Sequence, residues 1–459
     1  MKLFAFLLCL SSAGLLVSLT SCSQKTADDD KKDALAKYDR GDWDGAIADD
    51  TQAIAIEPNN GSIYNNRGKA ERNKGDLDRA MADYTQAIAL NPKDARAYNN
   101  RGVVKTAQGD LDGAMADFNQ ALTLNPKEGS AYGHRGLLEY AKDDWGSALA
   151  DFTQAVTFEP KNAVIYDHRG MIHYNQSDWK SALADFDQAI AIEPKSAWAY
   201  DNRGLVKKAQ GDLDGALADF NQAIALEPKD AKAYVNRGIA QKAKGALDGA
   251  LADFNQAIAL DPKEAKAYVD RGTTRKAKGD IDGALADLDQ AIAVNSQDAS
   301  AFSNRGLIKY TRGDLAGALA DYTQAINLKP RKEDYLHLYL WVARMKQGPK
   351  TEADQELSAY MAQRPAASSG DWFSKISGFL LGPISESDFL AEASSTDPHK
   401  DRNQHGEAWY YAGIKQLLAG HKTAATNDFK KCLLTLPKGY VQYDLAQYEL
   451  KALGRNSAP

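Results

Sequence analysis

An all-α solenoid is predicted for this 459-residue chain, and three observations predict it. An aromatic residue followed four places later by glycine recurs every 34 residues, at Tyr64, Tyr98, Tyr132, Tyr166, Tyr200, Tyr234, Tyr268 and Phe302. Prolines keep the same register at Pro58, Pro92, Pro126, Pro160, Pro194, Pro228, Pro262 and Pro330, with Ser296 in the single gap. The second half of each unit carries apolar residues at helical spacing, for example Leu111, Ala114, Met115, Phe118, Ala121 and Leu122. A fixed period of this size marks stacked repeats, none of which can bury its apolar face alone.

The N-terminal segment precedes the repeats. Met1-Lys2, the apolar run from Leu3 to Leu19 and the small residues Thr20-Ser21 before Cys22 describe a secretory signal. Leu19-Thr20-Ser21-Cys22 also resembles the lipobox of bacterial lipoproteins. That resemblance implies a signal over 1–21, a lipidated Cys22 and a short tether over 22–26, attaching the chain to a membrane through lipid. An ordinary cleaved signal and an uncleaved anchor are the other readings. Several acyl chains hold a protein where one does not, at about 0.8 kcal/mol per buried methylene. In the lipoprotein family a serine after the cysteine, here Ser23, goes with outer-membrane delivery.

With 62 acidic against 56 basic residues the net charge is −6, a poor balance for nucleic-acid binding, which rests on phosphate neutralisation. Of the three cysteines, Cys9 leaves with the signal and Cys22 takes lipid, so Cys432 stands alone and the fold must rest on packing.

Nine repeats follow from 27 to 332. In the third, the pattern predicts a first helix over Ala95–Gln108, a turn at Gly109-Asp110, and a second helix over Leu111–Leu124 closed by Asn125-Pro126. Alanine stands at positions 20 and 27 of all nine units, and glycine at position 8 of eight, despite a cost near 1 kcal/mol in a helix interior. Such glycines imply a close crossing. The aromatic at 4, Gly at 8, Ala at 20, aromatic at 24, Ala at 27 and Pro at 32 resemble the tetratricopeptide repeat. That family implies a right-handed superhelix whose first helices form a concave, ligand-contacting wall.

Position 7 departs from that family. Arginine replaces a large aliphatic residue from Arg67 to Arg305, while position 23 is aspartate from Asp49 to Asp321. An unpaired charge on a packed face is costly, so each arginine is expected to pair with an aspartate of its own or the adjacent unit, as Arg101 with Asp117 and Arg203 with Asp219. A ladder of arginines binding an acidic ligand is the alternative.

Beyond Pro330 the period weakens. Helices are expected over Asp334–Lys346, Lys350–Ala362, Trp372–Leu381 and Ser385–Ala393, and then a polar, mobile stretch from Ser394 to Asn403. A repeat-like unit returns over 404–459, with Trp409, Gly413, Gly420, Ala425, Phe429, Cys432 and Pro437 in phase and a closing helix from Tyr440 to Leu453. The division is thus an atypical helix pair with connecting helices over 333–403 and a terminal unit over 404–459. The order Tyr335 to Trp341, Trp372, Phe379-Leu380-Leu381-Gly382, Ile384-Ser385-Glu386, Glu407 to Gly413 and Tyr443 to Leu450 resembles the C-terminal half of the NlpI-type outer-membrane lipoproteins. That resemblance implies a homodimer and, as partners, enzymes that cut peptidoglycan and a periplasmic protease that processes them.

No HExxH, GxSxG, GxxxxGK[ST] or calcium-loop pattern is present, and no cofactor is implied. His134 and His168 share position 6 of consecutive units, with Asp167 and Asp201 beside them. Equivalent positions on stacked helices start about 10 Å apart, so a shared metal ion would need favourable rotamers, and a hydrogen-bonding role is the reading preferred. The histidines from His399 to His405 and Trp372 are the remaining candidates for a chemical site. The chain is therefore read as a non-catalytic adaptor of the bacterial envelope, and a pilus or secretin assembly lipoprotein is the second reading. By family analogy the partner-binding wall holds Val103, Leu137, Met171, Leu205, Ile239 and Leu307 at position 9. Position 12 adds Tyr140, Tyr174, Lys208, Lys242, Lys276 and Tyr310. An apolar stripe flanked by tyrosine and lysine suits an extended peptide or a helix. The alternative is that position 9 packs beneath the next first helix.

Overall fold

The computed structural model describes residues 26–330, 333–348, 350–365 and 370–454. The expected signal and lipidation site at Cys22 lie outside the described residues. Within them the chain is all α, with helices in consecutive packed pairs and no strand: an α-solenoid. It divides into two compact parts, one running to Pro194 and the other from Lys195.

The first part contains α1 (Ala27–Tyr38), α2 (Trp43–Ile56), α3 (Gly61–Lys74), α4 (Leu77–Leu90), α5 (Ala95–Gln108), α6 (Leu111–Leu124), α7 (Gly129–Ala141), α8 (Trp145–Phe158), α9 (Ala163–Asn175) and α10 (Trp179–Ile192). The second begins with α11 (Ala197–Ala209), α12 (Leu213–Leu226), α13 (Ala231–Ala243), α14 (Leu247–Leu260), α15 (Ala265–Lys278), α16 (Ile281–Val294), α17 (Ala299–Thr311) and α18 (Leu315–Asn327). It continues with α19 (Asp334–Gln347), α20 (Lys350–Gln363), α21 (Trp372–Leu381), α22 (Glu386–Glu392), α23 (Pro398–Leu418), α24 (Lys422–Thr435) and α25 (Val441–Ala452).

The third repeat shows how the sequence draws each pair. Gly109 ends α5 in the left-handed region at φ +84°, and the Asp110 carboxylate then accepts the Gly113 N–H at 3.0 Å to start α6. The close crossing expected from position 8 is present. A Cβ on Gly102 would sit 2.6 Å from the Phe118 ring, and one on Gly238 would sit 2.7 Å from Phe254. The first repeat shows the same rule from the other side. It carries Asp50 where the others carry the large apolar residue, and Ala34 stands in place of the glycine.

Every position-7 arginine pairs with the aspartate of its own repeat. The shortest contacts run from 2.6 to 2.8 Å for Arg67–Asp83, Arg101–Asp117, Arg135–Asp151, Arg169–Asp185, Arg203–Asp219, Arg237–Asp253, Arg271–Asp287 and Arg305–Asp321. The carboxylates are buried, so each forked contact offsets a desolvation cost of several kcal/mol. Among these guanidinium groups, those of Arg67, Arg135, Arg237, Arg271 and Arg305 also reach position 25 of the preceding repeat, as from Arg135 to Asn119 at 2.7 Å and from Arg271 to Asn255 at 2.8 Å. Each also lies over the aromatic ring at position 4, for example Arg203 over Tyr200 at 5.3 Å. One side chain thereby links both helices of a repeat to the repeat before it. On the exposed edge weaker stitches such as Lys74–Asp44 at 2.5 Å and Arg312–Asp282 at 2.7 Å join neighbouring repeats and contribute little.

In the C-terminal half α19, α20 and α21 begin where the pattern places them, and α22 is a residue shorter at each end than expected. The Ser394–Asn403 stretch is different: α23 begins at Pro398, inside the residues expected to be polar and mobile. Asp397 caps it by accepting the N–H groups of His399 and Lys400, and Pro398 takes the first helical turn, where its missing N–H costs nothing. A single apolar core then joins Trp341, Phe379, Phe389, Tyr411, Phe429 and Leu445.

Candidate partner-binding face

First helices of successive repeats touch one another: α1 with α3, α3 with α5 and α5 with α7 in the first part, and α11, α13, α15 and α17 in sequence in the second. Their positions 9 and 12 form the candidate face, taken here for each part separately.

In the first part Val103, Leu137 and Met171 are half-buried at position 9. Val103 packs against the cluster of Ala114, Phe118 and Leu138, and Leu137 against that of Phe152, Ile165 and Ile172. For Val103 and Leu137 both readings of position 9 therefore apply at once, with part of the side chain in the core and part open. Tyr140 and Tyr174 are half-buried at position 12, Tyr140 edge-on to His168 at 5.6 Å and Tyr174 against Trp179 at 5.4 Å. Beneath them runs a buried polar row. Asn100 donates to Asn65 at 2.9 Å, and His134 Nδ1 lies 2.9 Å from Asn99 Oδ1. Burial, with Arg72 nearby, pushes the His134 imidazole down to about 4. His168 Nδ1 instead meets the Val164 carbonyl at 2.8 Å. Asp167, in the same row, is buried with one oxygen unbonded, and burial beside Glu193 raises its carboxyl to about 7.

In the second part Leu205 and Ile239 are half-buried, with Lys208 and Lys242 beside them. Three residues assigned to the same face are otherwise engaged. The Lys276 ammonium is 2.6 Å from Asp444 of α25, Tyr310 is buried with its hydroxyl donating to Glu449 at 2.6 Å, and Leu307 is buried in the C-terminal core. The chain's own last helix occupies that end of the face, so Lys276, Leu307 and Tyr310 are not open to a partner. Asp444 and Glu449 were missed because an ion pair 168 residues apart leaves no trace in a 34-residue pattern. Trp198, 44% exposed at position 2 of α11, was missed too, although a tryptophan between alanines at a repeat edge is a visible signal.

The arginines cannot serve as an acidic-ligand ladder, since every guanidinium is committed to its aspartate. Lys105, Lys207 and Lys309 add to three of these sites, 2.9 Å from Asp117, 2.8 Å from Asp219 and 2.8 Å from Asp321. Among the described residues no group of three or more His, Cys, Asp and Glu side chains could hold a metal, and no helix is long and apolar enough to cross a membrane. His399 and His405 lie on α23, His405 bonded to the Asp401 carbonyl at 2.9 Å. Trp372 donates to Glu407 at 2.7 Å, and Cys432 is a buried free thiol.

Stacked helix pairs with a half-open apolar and polar face define a protein-interaction scaffold. Tetratricopeptide repeats run across the chain: models of that repeat match residues 95–128 and 231–264, 170–241 and 269–333, and a TPR-repeat model matches 68–109. Among solved structures the chain is similar to YrrB, described as a TPR protein with an unusual peptide-binding site. The two are 26% identical over 40% of this chain and 95% of that one, with a TM-score of 0.37. It is similar also to MamA (25% identity, 38% and 96% covered, TM-score 0.35). A third is a tetratricopeptide repeat protein from Parabacteroides merdae (22% identity, 55% and 99% covered, TM-score 0.39). Among curated proteins no match is found.

Proposed function

We propose that this chain is a non-catalytic adaptor of the bacterial cell envelope, held to the outer membrane on its periplasmic side by lipid on Cys22. The observation that carries the reading is the half-open row of Leu137, Tyr140, Met171 and Tyr174, which offers apolar and aromatic area beside polar groups without a reaction centre. A tethered array of this kind raises the local concentration of its partners and brings two of them together. The C-terminal resemblance to NlpI-type lipoproteins names them as peptidoglycan hydrolases and the periplasmic protease that processes them, and supports a homodimer.

Affinity capture from the host envelope tests this. Murein hydrolases or a processing protease should be recovered, and Leu137→Asp with Met171→Asp should lower their yield at least fivefold. Pilus or secretin subunits in their place would overturn the assignment of partners. Capture that survives the double substitution but disappears when 333–459 is removed would move the binding surface to the C-terminal region. Light scattering on protein lacking lipid reads the dimer directly.

A further inference from the structure

Helix α25 shows what the face of the first helices accepts. It lies across α15 and α17, with Asp444 on Lys276 at 2.6 Å and Glu449 receiving the Tyr310 hydroxyl at 2.6 Å and the Lys346 ammonium at 2.7 Å. Its Tyr448 ring packs edge-on against Tyr310 at 5.5 Å. Lys276 and Tyr310 are the position-12 residues of consecutive repeats. Five residues of helix rise about 7.5 Å, close to the 8–10 Å step between packed helices. A crossing helix with acidic residues five apart therefore meets position 12 of one repeat and then the next. Followed from Glu449 back to Asp444, α25 passes from α17 to α15, and the next helices in line are α13 and α11.

There the position-12 residues are Lys242 and Lys208, and among the described residues no helix lies on them as α25 lies on Lys276. Lys242 donates to Thr273 Oγ1 at 2.6 Å, and Lys208 makes no hydrogen bond or ion pair among the described residues. Both lysines are half-buried, and burial lowers the pKa of each. The carboxylates at hand leave them short of a partner. Asp201 accepts two contacts from Asn236, at 2.9 and 3.1 Å, and Asp270 has a buried, unbonded oxygen and a carboxyl raised by burial. Leu205 and Ile239 supply apolar area alongside, and a cleft of about 670 Å³ opens between Trp198, Leu205 and Lys266.

We propose that α11 and α13 bind an acidic amphipathic helix of a partner protein, its carboxylates on Lys208 and Lys242 and its apolar side on Leu205 and Ile239, continuing the line of α25. The proposal rests on the scaffold reading above and adds a place and a chemistry to it. The charge complement is the one α25 already uses on the next two repeats, and the two surfaces are continuous.

The probe is a helix-stabilised, fluorescein-labelled peptide with the sequence of residues 440–453, titrated into the full chain by fluorescence anisotropy. Saturable binding is expected. It should weaken at least tenfold when the peptide carries Asp444→Asn and Glu449→Gln, and at least tenfold when the chain carries Lys208→Ala and Lys242→Ala with an unchanged helical spectrum. The Lys276→Ala chain should bind the peptide as the wild type does. Absence of binding, indifference to the Lys208 and Lys242 substitutions, or loss confined to Lys276→Ala would each overturn the assignment, the last because the peptide would then be replacing α25. If envelope partners are still captured through Leu137 and Met171 while the peptide fails, this inference falls and the adaptor reading stands. If no partner is captured, the adaptor reading falls whatever the peptide does.

Discussion

Position 11 offers a perturbation with its control built into the chain. In three repeats it is a lysine lying beside the buried aspartate of the arginine pair: Lys105 at 2.9 Å, and Lys207 and Lys309 at 2.8 Å. In the fourth repeat the same place holds Glu139, which faces Asp151, with one of its oxygens buried and unbonded. Burial first, and then the Asp151 charge, push the Glu139 carboxyl from 4.5 up to about 7 against the pull of Arg135. Below about pH 4.5 both folded and unfolded chains hold this proton and there is no cost. Between 4.5 and 7 only the folded chain holds it, so stability falls as pH rises, and above 7 the loss is complete. At 1.36 kcal/mol per pH unit the full loss is roughly 3 kcal/mol, and sharing the proton with Asp151 brings it to about 1–3 kcal/mol. Glu139→Lys removes that loss and installs the contact its sister repeats make. Because a solenoid opens locally, the assay is amide hydrogen exchange over α7 and α8, corrected for intrinsic rates, at about pH 8 and about pH 5.5. The wild type should gain protection on acidification. The variant should be more protected by about 1–3 kcal/mol at pH 8 and nearly independent of pH. A variant no better protected than the wild type at pH 8, or a wild type without the acid gain, would refute the reasoning.

Other substitutions test separate links. Arg237→Ala leaves the buried Asp253 without a cation, since position 11 of that repeat is Gln241. It should cost about 3–5 kcal/mol in urea unfolding, whereas Arg237→Met with Asp253→Leu should cost clearly less. Gly238→Ala forces a Cβ to within 2.7 Å of Phe254 and should cost about 1–3 kcal/mol; adding Phe254→Leu should recover part of it, as Leu288 already sits 3.3 Å from the same point above Gly272. Cys22→Ala should move the protein from the membrane to the soluble fraction, and unchanged membrane association would count against lipid attachment.

The fold was legible because its main contacts are local and repeated. Arginine at 7 and aspartate at 23 are 16 residues apart in every repeat, and glycine at 8 stands with a large apolar residue at 24, so physical necessity leaves a periodic mark. The helix caps were legible for the same reason, as Gly109-Asp110 shows. The occupied end of the partner face was not. Tyr310 and Glu449 meet across 139 residues, and each taken alone reads as an ordinary surface side chain. Position 12 of α17 is tyrosine where three preceding repeats have lysine, yet no rule of spacing says that a later helix covers it. The early start of α23 was missed because Ser394 to Asn403 has no apolar face of its own, and only Asp397-Pro398 signals a helix start.

The central claim is that proteins bind on the faces of the first helices. Site-specific photocrosslinking in the living host tests it most directly, with a photoreactive amino acid placed at Tyr174 and, for comparison, at the fully exposed Asp112 of α6. Crosslinks from position 174 to a peptidoglycan hydrolase or a processing protease, with none from position 112, are the predicted result. Equal labelling from both positions, or partners trapped from 112 alone, would contradict it.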